Sequence, residues 1–343
     1  MENLSAGAKL TDAFDRLGDQ KSLHLSLGLD ATPAELVALT KSSGDPMDAK
    51  TAKFISGMTF TYDMTSKKPI SESGEKDITG QQLSLQGPDG ALFEVRTIGT
   101  DATYTRMDMK KFGELSGEEM PSANELPPEA GAMGDMFEGR WVKFDLAKAE
   151  KLGKEMGAGE KTGGAVPGFG TPSLSPEVGK ELMKDLKKAM AREVKLRDKG
   201  SKDGLVRVTA SASARGLVKA LVDTVLPYTK DLGLPASMPK PTAKDYRDIP
   251  ARAVSVDFFL EDGAVDSASV DLGVLSKDKG DKLVLKAEFG KAEPIEAPSG
   301  ATELDLASIL SGMMAGLEDE GFADNTMDEA GLEELTAADG PQY

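Results

Sequence analysis

The sequence predicts an α+β domain in which a large antiparallel sheet curls around helices on one face. Three observations carry that expectation. Residues 251–298 hold three consecutive alternating runs. About nine to eleven strand-like segments fall mostly in hairpins, with helices inserted rather than alternating with them one for one. No repeat of 20–50 residues runs through the chain, which excludes a solenoid.

The first observation is the most legible. Val254, Val256, Phe258 and Leu260 alternate with Ser255, Asp257, Phe259 and Glu261, the period of two of a strand with one buried face. Asp262-Gly263 suits the positive φ values of a type I′ turn. The chain returns through Ala268, Val270 and Leu272, and after a charged loop (residues 276–282) Leu283, Leu285, Ala287 and Phe289 make a third run.

From the start of the chain, Leu10, Phe14 and Leu17 at helical spacing predict a helix over residues 4–18. Leu23, Leu25, Leu27 and Leu29 alternate with polar residues as a strand. Thr32, Pro33 and Glu35 read as N-cap, first turn and the closing half of a capping box. A short helix over residues 48–55 precedes a strand carrying Met58, Phe60, Tyr62 and Met64, and residues 66–77 form a loop. The runs 81–86 and 91–98, joined by Gly87-Pro88-Asp89-Gly90, give a hairpin, and residues 102–108 add a strand. Pro121, Pro127 and Pro128 break the helical stretch 109–138 into pieces. Residues 141–144 make a brief strand.

The segment 157–176, rich in Gly, Pro, Thr and Ser, predicts a surface loop. Ser175 and Pro176 then start a helix whose stripe is Val178, Leu182, Met183, Leu186, Met190 and Val194. A strand over 205–210 and a helix with Leu217, Val218, Leu221, Val222, Val225 and Leu226 inward complete the middle of the chain. Thr302 caps a last helix bearing Leu306, Ile309, Leu310, Met313 and Leu317. Strands from both ends are needed for one sheet, so residues 1–317 are expected to form a single domain.

Composition narrows the function classes. The 343 residues carry a formal net charge of −17 and are 39% apolar, enough to bury a core. That charge repels nucleic acid and disfavours electrostatic docking to anionic lipid. Nine carboxylates without one Lys or Arg fall in residues 318–343; they account for nine of the 17 charges and leave −8 for the rest. This segment reads as a solvated acidic tail. With no cysteine the given chain has no disulfide, thiolate metal site or cysteine nucleophile. No stretch approaches the ~20 apolar residues of a membrane helix, and no basic, apolar leader is visible at Met1-Glu2-Asn3-Leu4.

Catalytic motifs are weak. His24 is the sole histidine and sits mid-strand on the polar side, a hydrogen-bonded strand residue rather than a general base. No G-x-S-x-G elbow accompanies it. Residues 157–162 imitate a phosphate loop, but Glu160 stands where glycine is needed. Asp324, Thr326 and Asp328 begin a calcium loop that Glu329 and Leu335 spoil. Fifty-eight acidic residues make chance carboxylate pairs inevitable, and nothing singles out two for glycoside hydrolysis. Neither a cofactor nor a metal is expected, and the protein reads as a non-enzyme.

Three stretches point to a family: TYTRMDMKKFGEL with GRWVKFDLAK, the hairpin VSVDFFLEDGAVDSASVDL, and KLVLKAEFGKAEPIEAPSGATELDL. Together they resemble actinobacterial envelope lipoproteins of the LppX and LprG type, related in fold to the LolA lipoprotein carrier. The resemblance implies an antiparallel half-barrel with helices on its concave face and an apolar cavity between. It also implies export to the cell envelope and anchoring through a lipidated N-terminal cysteine, which this chain lacks. The acidic tail and the 157–176 insertion depart from the short members of that family.

The expected cavity lining is then the apolar side of the strands: Leu23, Leu25, Leu27, Phe60, Tyr62, Leu83, Leu85, Phe93, Val95, Val254, Val256, Phe258, Leu283 and Leu285. The expected ligand is hydrophobic and acyl-bearing. Burying acyl carbons at about 0.8 kcal/mol per methylene gives roughly 10 kcal/mol for some 12 carbons before ordering costs. Met58, Met64, Met183, Met190, Met313 and Met314 are candidate adaptable filler. The alternative is a structural or regulatory envelope protein with a filled core, acting through protein contacts at its surface or tail.

Overall fold

The computed structural model describes residues 5–43, 47–100, 102–116, 131–145, 148, 176–229, 242, 244–247, 249, 251–275 and 282–304. Twelve strands form one open, curved sheet: β1 Ser22–Asp30, β2 Thr59–Ser66, β3 Ile78–Gly87, β4 Gly90–Ile98, β5 Ala102–Met107, β6 Val142–Asp145, β7 Lys195–Lys202, β8 Leu205–Ser213, β9 Ala253–Glu261, β10 Ala264–Asp271, β11 Val284–Gly290 and β12 Thr302–Glu303. Their spatial order is β12-β6-β5-β4-β3-β2-β1-β11-β10-β9-β8-β7. All neighbours are antiparallel except β12 with β6. The helices are α1 Ala6–Gly18, α2 Pro33–Ser43, α3 Ala49–Ser56, α4 Met109–Ser116, α5 Gly131–Phe137, α6 Pro176–Glu193 and α7 Ala214–Val225.

Local chemistry explains most boundaries. The Thr32 and Glu35 capping box forms, with Thr32 N–H donating to Glu35 Oε2 at 2.7 Å and Glu35 N–H to Thr32 Oγ1 at 3.2 Å. Those bonds hold the Glu35 carboxyl below its ordinary range. Ser5, Asp48 and Ser213 cap α1, α3 and α7 in the same way. At the β9–β10 hairpin Asp262 (φ 47°) and Gly263 (φ 83°) take the two left-handed positions of the expected turn.

Two elements differ from the sequence expectation. β7 is a full strand where no alternation announces one; its eight residues are charged or polar apart from Leu196 and Gly200, and all are exposed. It is an edge, and Lys195, Lys199 and Lys202 on an exposed edge oppose pairing with another chain. Thr302 is not a helix cap. Its N–H donates to Trp141 O at 2.9 Å inside the short parallel strand β12, and its hydroxyl donates to Asp135 Oδ2 at 2.7 Å. The helix expected after it, residues 157–175 of the expected loop and the tail 318–343 lie outside the described residues, and Pro176 begins α6.

Between β11 and β12 the chain crosses the outer side of the sheet. Ile295 lies against Gly80 so closely that a Cβ at Gly80 would come within 2.8 Å of it, which explains glycine at that strand position. Arg96 holds the same crossing by donating to Glu296 O at 3.3 Å. Beneath it the buried Glu94 carboxylate accepts from Arg96 and from Arg106, both at 2.7 Å, and each guanidinium lies 4.8 Å from the Trp141 ring centroid. One carboxylate and one ring thus link β4, β5 and the residue before β6 on the outer side.

Candidate functional site

Register decides which strand side chains share the inner face, because directly paired residues point to the same side. One row runs Phe289, Leu25, Tyr62, Leu83, Val95, Thr105, Val142. A second runs Val208, Phe258, Ala268, Ala287, Leu27, Phe60, Leu85, Phe93, Met107 across nine strands. The expected lining residues therefore stand on one face, including Val254 and Val256 on β9 and Leu285 on β11. Leu283 precedes β11, where its carbonyl accepts from Leu272 N–H at 2.7 Å.

Helices cover the two flanks of that face. On the β8–β10 side, α1 lays Ala13, Leu10 and Ala6 on Val208, Leu260, Val265, Phe258 and Phe289. Phe14 meets Phe258 and Phe289 edge to face at 5.8 and 6.4 Å. Ala13, Val208 and Leu260 are completely buried. Phe258 thus belongs to this packed flank, as a partner of α1. On the β5–β6 side, Met136 of α5 packs with Val142, Phe144 and Leu304, and Met107, Met133 and Phe137 fill in around them.

The centre behaves differently. Leu23, Leu25, Leu27, Phe60, Tyr62, Leu83 and Leu85 are all half-buried, and no apolar side chain of β1, β2 or β3 is fully buried among the described residues. Phe93 and Val95 of β4 share this state, although Leu92 beside them, at a β-bulge, is only 2% exposed. The environment is apolar enough that burial pushes the Tyr62 phenol above its ordinary value. Its hydroxyl lies 3.6 Å from Met64 Sδ. The strands β1, β2, β3, β4 and β5 put no Asp, Glu, Lys, Arg or His on this face.

Chemistry elsewhere is accounted for. His24 stands on the outer face, its Nδ1 2.6 Å from Asp63 Oδ1 on the neighbouring strand. No group of three or more His, Cys, Asp or Glu residues is disposed to hold a metal among the described residues. A groove of about 470 Å³ between α6 and α7 is lined by charges that pair within it, Lys188 with Asp185 at 2.9 Å and Lys219 with Asp223 at 2.5 Å. No described helix is long and apolar enough to cross a membrane.

No family model matches the chain, and no curated protein does. Among solved structures it is similar to the Mycobacterium tuberculosis lipoprotein LppX, with 11% identity, 85% of this chain and 98% of that chain covered, and a TM-score of 0.32. Coverage is long and the superposition loose.

Proposed function

We propose that the protein is a non-enzymatic carrier that holds a hydrophobic, acyl-bearing ligand against the central inner face of its sheet. The observation supporting this reading is the half-buried apolar field of β1–β4 lying between two flanks that are tightly packed. A sheet built only for stability gains most by burying its centre, since each apolar Å² removed from water contributes about 25 cal/mol. Here the deepest burial falls at the sides, and the middle keeps apolar surface available to something else. The physics of loading is desolvation alone, with no bond made or broken. In keeping with the resemblance of the three segments, the carrier works after export, at the cell envelope.

Native mass spectrometry of the full chain, purified without detergent, tests this reading. It is expected to show protein with added mass that organic extraction releases as acyl-bearing lipid. Protein that arrives ligand-free and takes up no dipalmitoylglycerol or hexadecane on incubation would refute it.

A further inference from the structure

The central inner face is not uniformly apolar, and across β1–β6 its polar residues gather at one end. A third row, one pleat period (about 7 Å) from the Leu83–Val95 row, runs Met64, Gln81, Thr97, Thr103, Phe144. Gln81, Thr97 and Thr103 place an amide and two hydroxyls side by side on three adjacent strands, and the two hydroxyls lie 3.1 Å apart. Thr105 follows on the next row, between Val95 and Val142.

Thr105 is the independent sign that a polar partner is missing. Seven polar or charged residues are buried among the described residues: Lys9, Ser66, Ser84, Glu94, Thr105, Thr209 and Ser267. Six have hydrogen-bond partners in the protein. Thr105, only 5% exposed, has none for its hydroxyl. A buried hydroxyl without a partner costs free energy, and valine would fill the same volume on an apolar strand face without that cost. The Gln81 amide, half-buried on the same face, also makes no hydrogen bond among the described residues.

We infer that Gln81, Thr97, Thr103 and Thr105 form a subsite for the uncharged, hydrogen-bonding head of the ligand, an ester or hydroxyl group, while its acyl chains lie over the Leu83 and Leu85 rows. This rests on the carrier reading and adds the chemical class of the head. The subsite supplies both donors and acceptors, as an ester or alcohol requires. Its strands supply no cation, because β3, β4 and β5 carry no ionisable side chain on this face. A phosphate or carboxylate held there would be buried without a counter-charge, so charged lipids are selected against.

The test compares dipalmitoylglycerol, dipalmitoyl phosphatidate and hexadecane as probes, with the full chain, the isosteric Thr105→Val variant and the half-buried Gln81→Leu variant. The wild-type protein is expected to bind dipalmitoylglycerol at least tenfold more tightly than phosphatidate. Each variant is expected to lose about tenfold for dipalmitoylglycerol and nothing for hexadecane. Thr105→Val is expected to melt no lower than wild type, which separates a lost contact from a damaged fold. Equal binding of diacylglycerol by wild type and both variants, or phosphatidate bound as well as diacylglycerol, overturns the subsite while leaving a carrier. Failure of all three probes to bind wild type overturns the carrier reading along with it.

Discussion

The flank under α1 and the centre of the sheet are made of the same kinds of residue in the same alternating pattern, yet they are finished differently. At the flank Leu260, Val208 and Ala13 are completely excluded from water, and Phe14, itself 40% exposed, meets the half-buried Phe258 and Phe289 edge to face. At the centre Leu25, Tyr62, Leu83 and Leu85 keep part of their surface. What distinguishes the two is how closely a helix seats on each, a tertiary choice that strand periodicity does not encode. The difference separates residues that hold the fold from residues that keep apolar surface in contact with water.

The largest expected effect tests the packed side. Leu260→Ala removes a fully buried side chain between Val206 and Val265 and is expected to cost about 2–5 kcal/mol in urea unfolding. A cost below about 1 kcal/mol would show that this flank is no better packed than the centre. On the outer side, Glu94→Gln leaves Arg96 and Arg106 without their shared carboxylate. It is expected to cost about 2 kcal/mol, less than a fully buried pair because both guanidiniums keep some solvent. A neutral result in the same unfolding experiment would mean that Trp141 alone holds the two arginines. Leu83→Ala sharpens the contrast with Leu260: a half-buried leucine is expected to cost only about 1 kcal/mol in the ligand-free protein, while weakening hexadecane binding several-fold.

The smallest expected effect is a pH dependence at the edge of the packed flank. Asp198 accepts from Lys9 Nζ at 2.5 Å and from Gly200 N–H at 2.8 Å, bonds that hold its carboxyl below the ordinary range. A carboxyl depressed by folding stabilises the folded state above its unfolded pKa, and that contribution is lost as pH falls through the folded value. The wild-type protein is therefore expected to lose stability at and below the usual carboxylate range, and Asp198→Asn to flatten part of that loss. An unchanged acid profile in Asp198→Asn would show that the bond from α1 to β7 contributes nothing to stability.

Much of this was legible beforehand, for identifiable reasons. The cap at Thr32, the Asp262-Gly263 turn and the hairpins follow from local chemistry, and local chemistry survives in the fold. β7 escaped notice because Lys195–Lys202 lacks apolar alternation. Its only advance sign was the Asp203-Gly204 pair, which takes φ values of 53° and 85° in the turn to β8. β12 escaped because two residues held by Trp141 and Lys143 carbonyls have no period. The alternation showed which residues face inward. That Phe258 sits under α1 while Leu83 does not, and that Thr97 meets Thr103, depends on helix placement and register, which a single sequence leaves open.

The contrast between centre and flank can be read directly, because the chain contains no cysteine. Alkylation by a hydrophobic maleimide under native conditions compares Leu83→Cys at the centre with Val265→Cys at the flank. The account predicts rapid reaction of the Leu83→Cys protein, protection of it by dipalmitoylglycerol, and little reaction of the Val265→Cys protein. Equal, slow reaction of both, unaffected by lipid, would mean that the centre is as closed as the flank and would contradict the account.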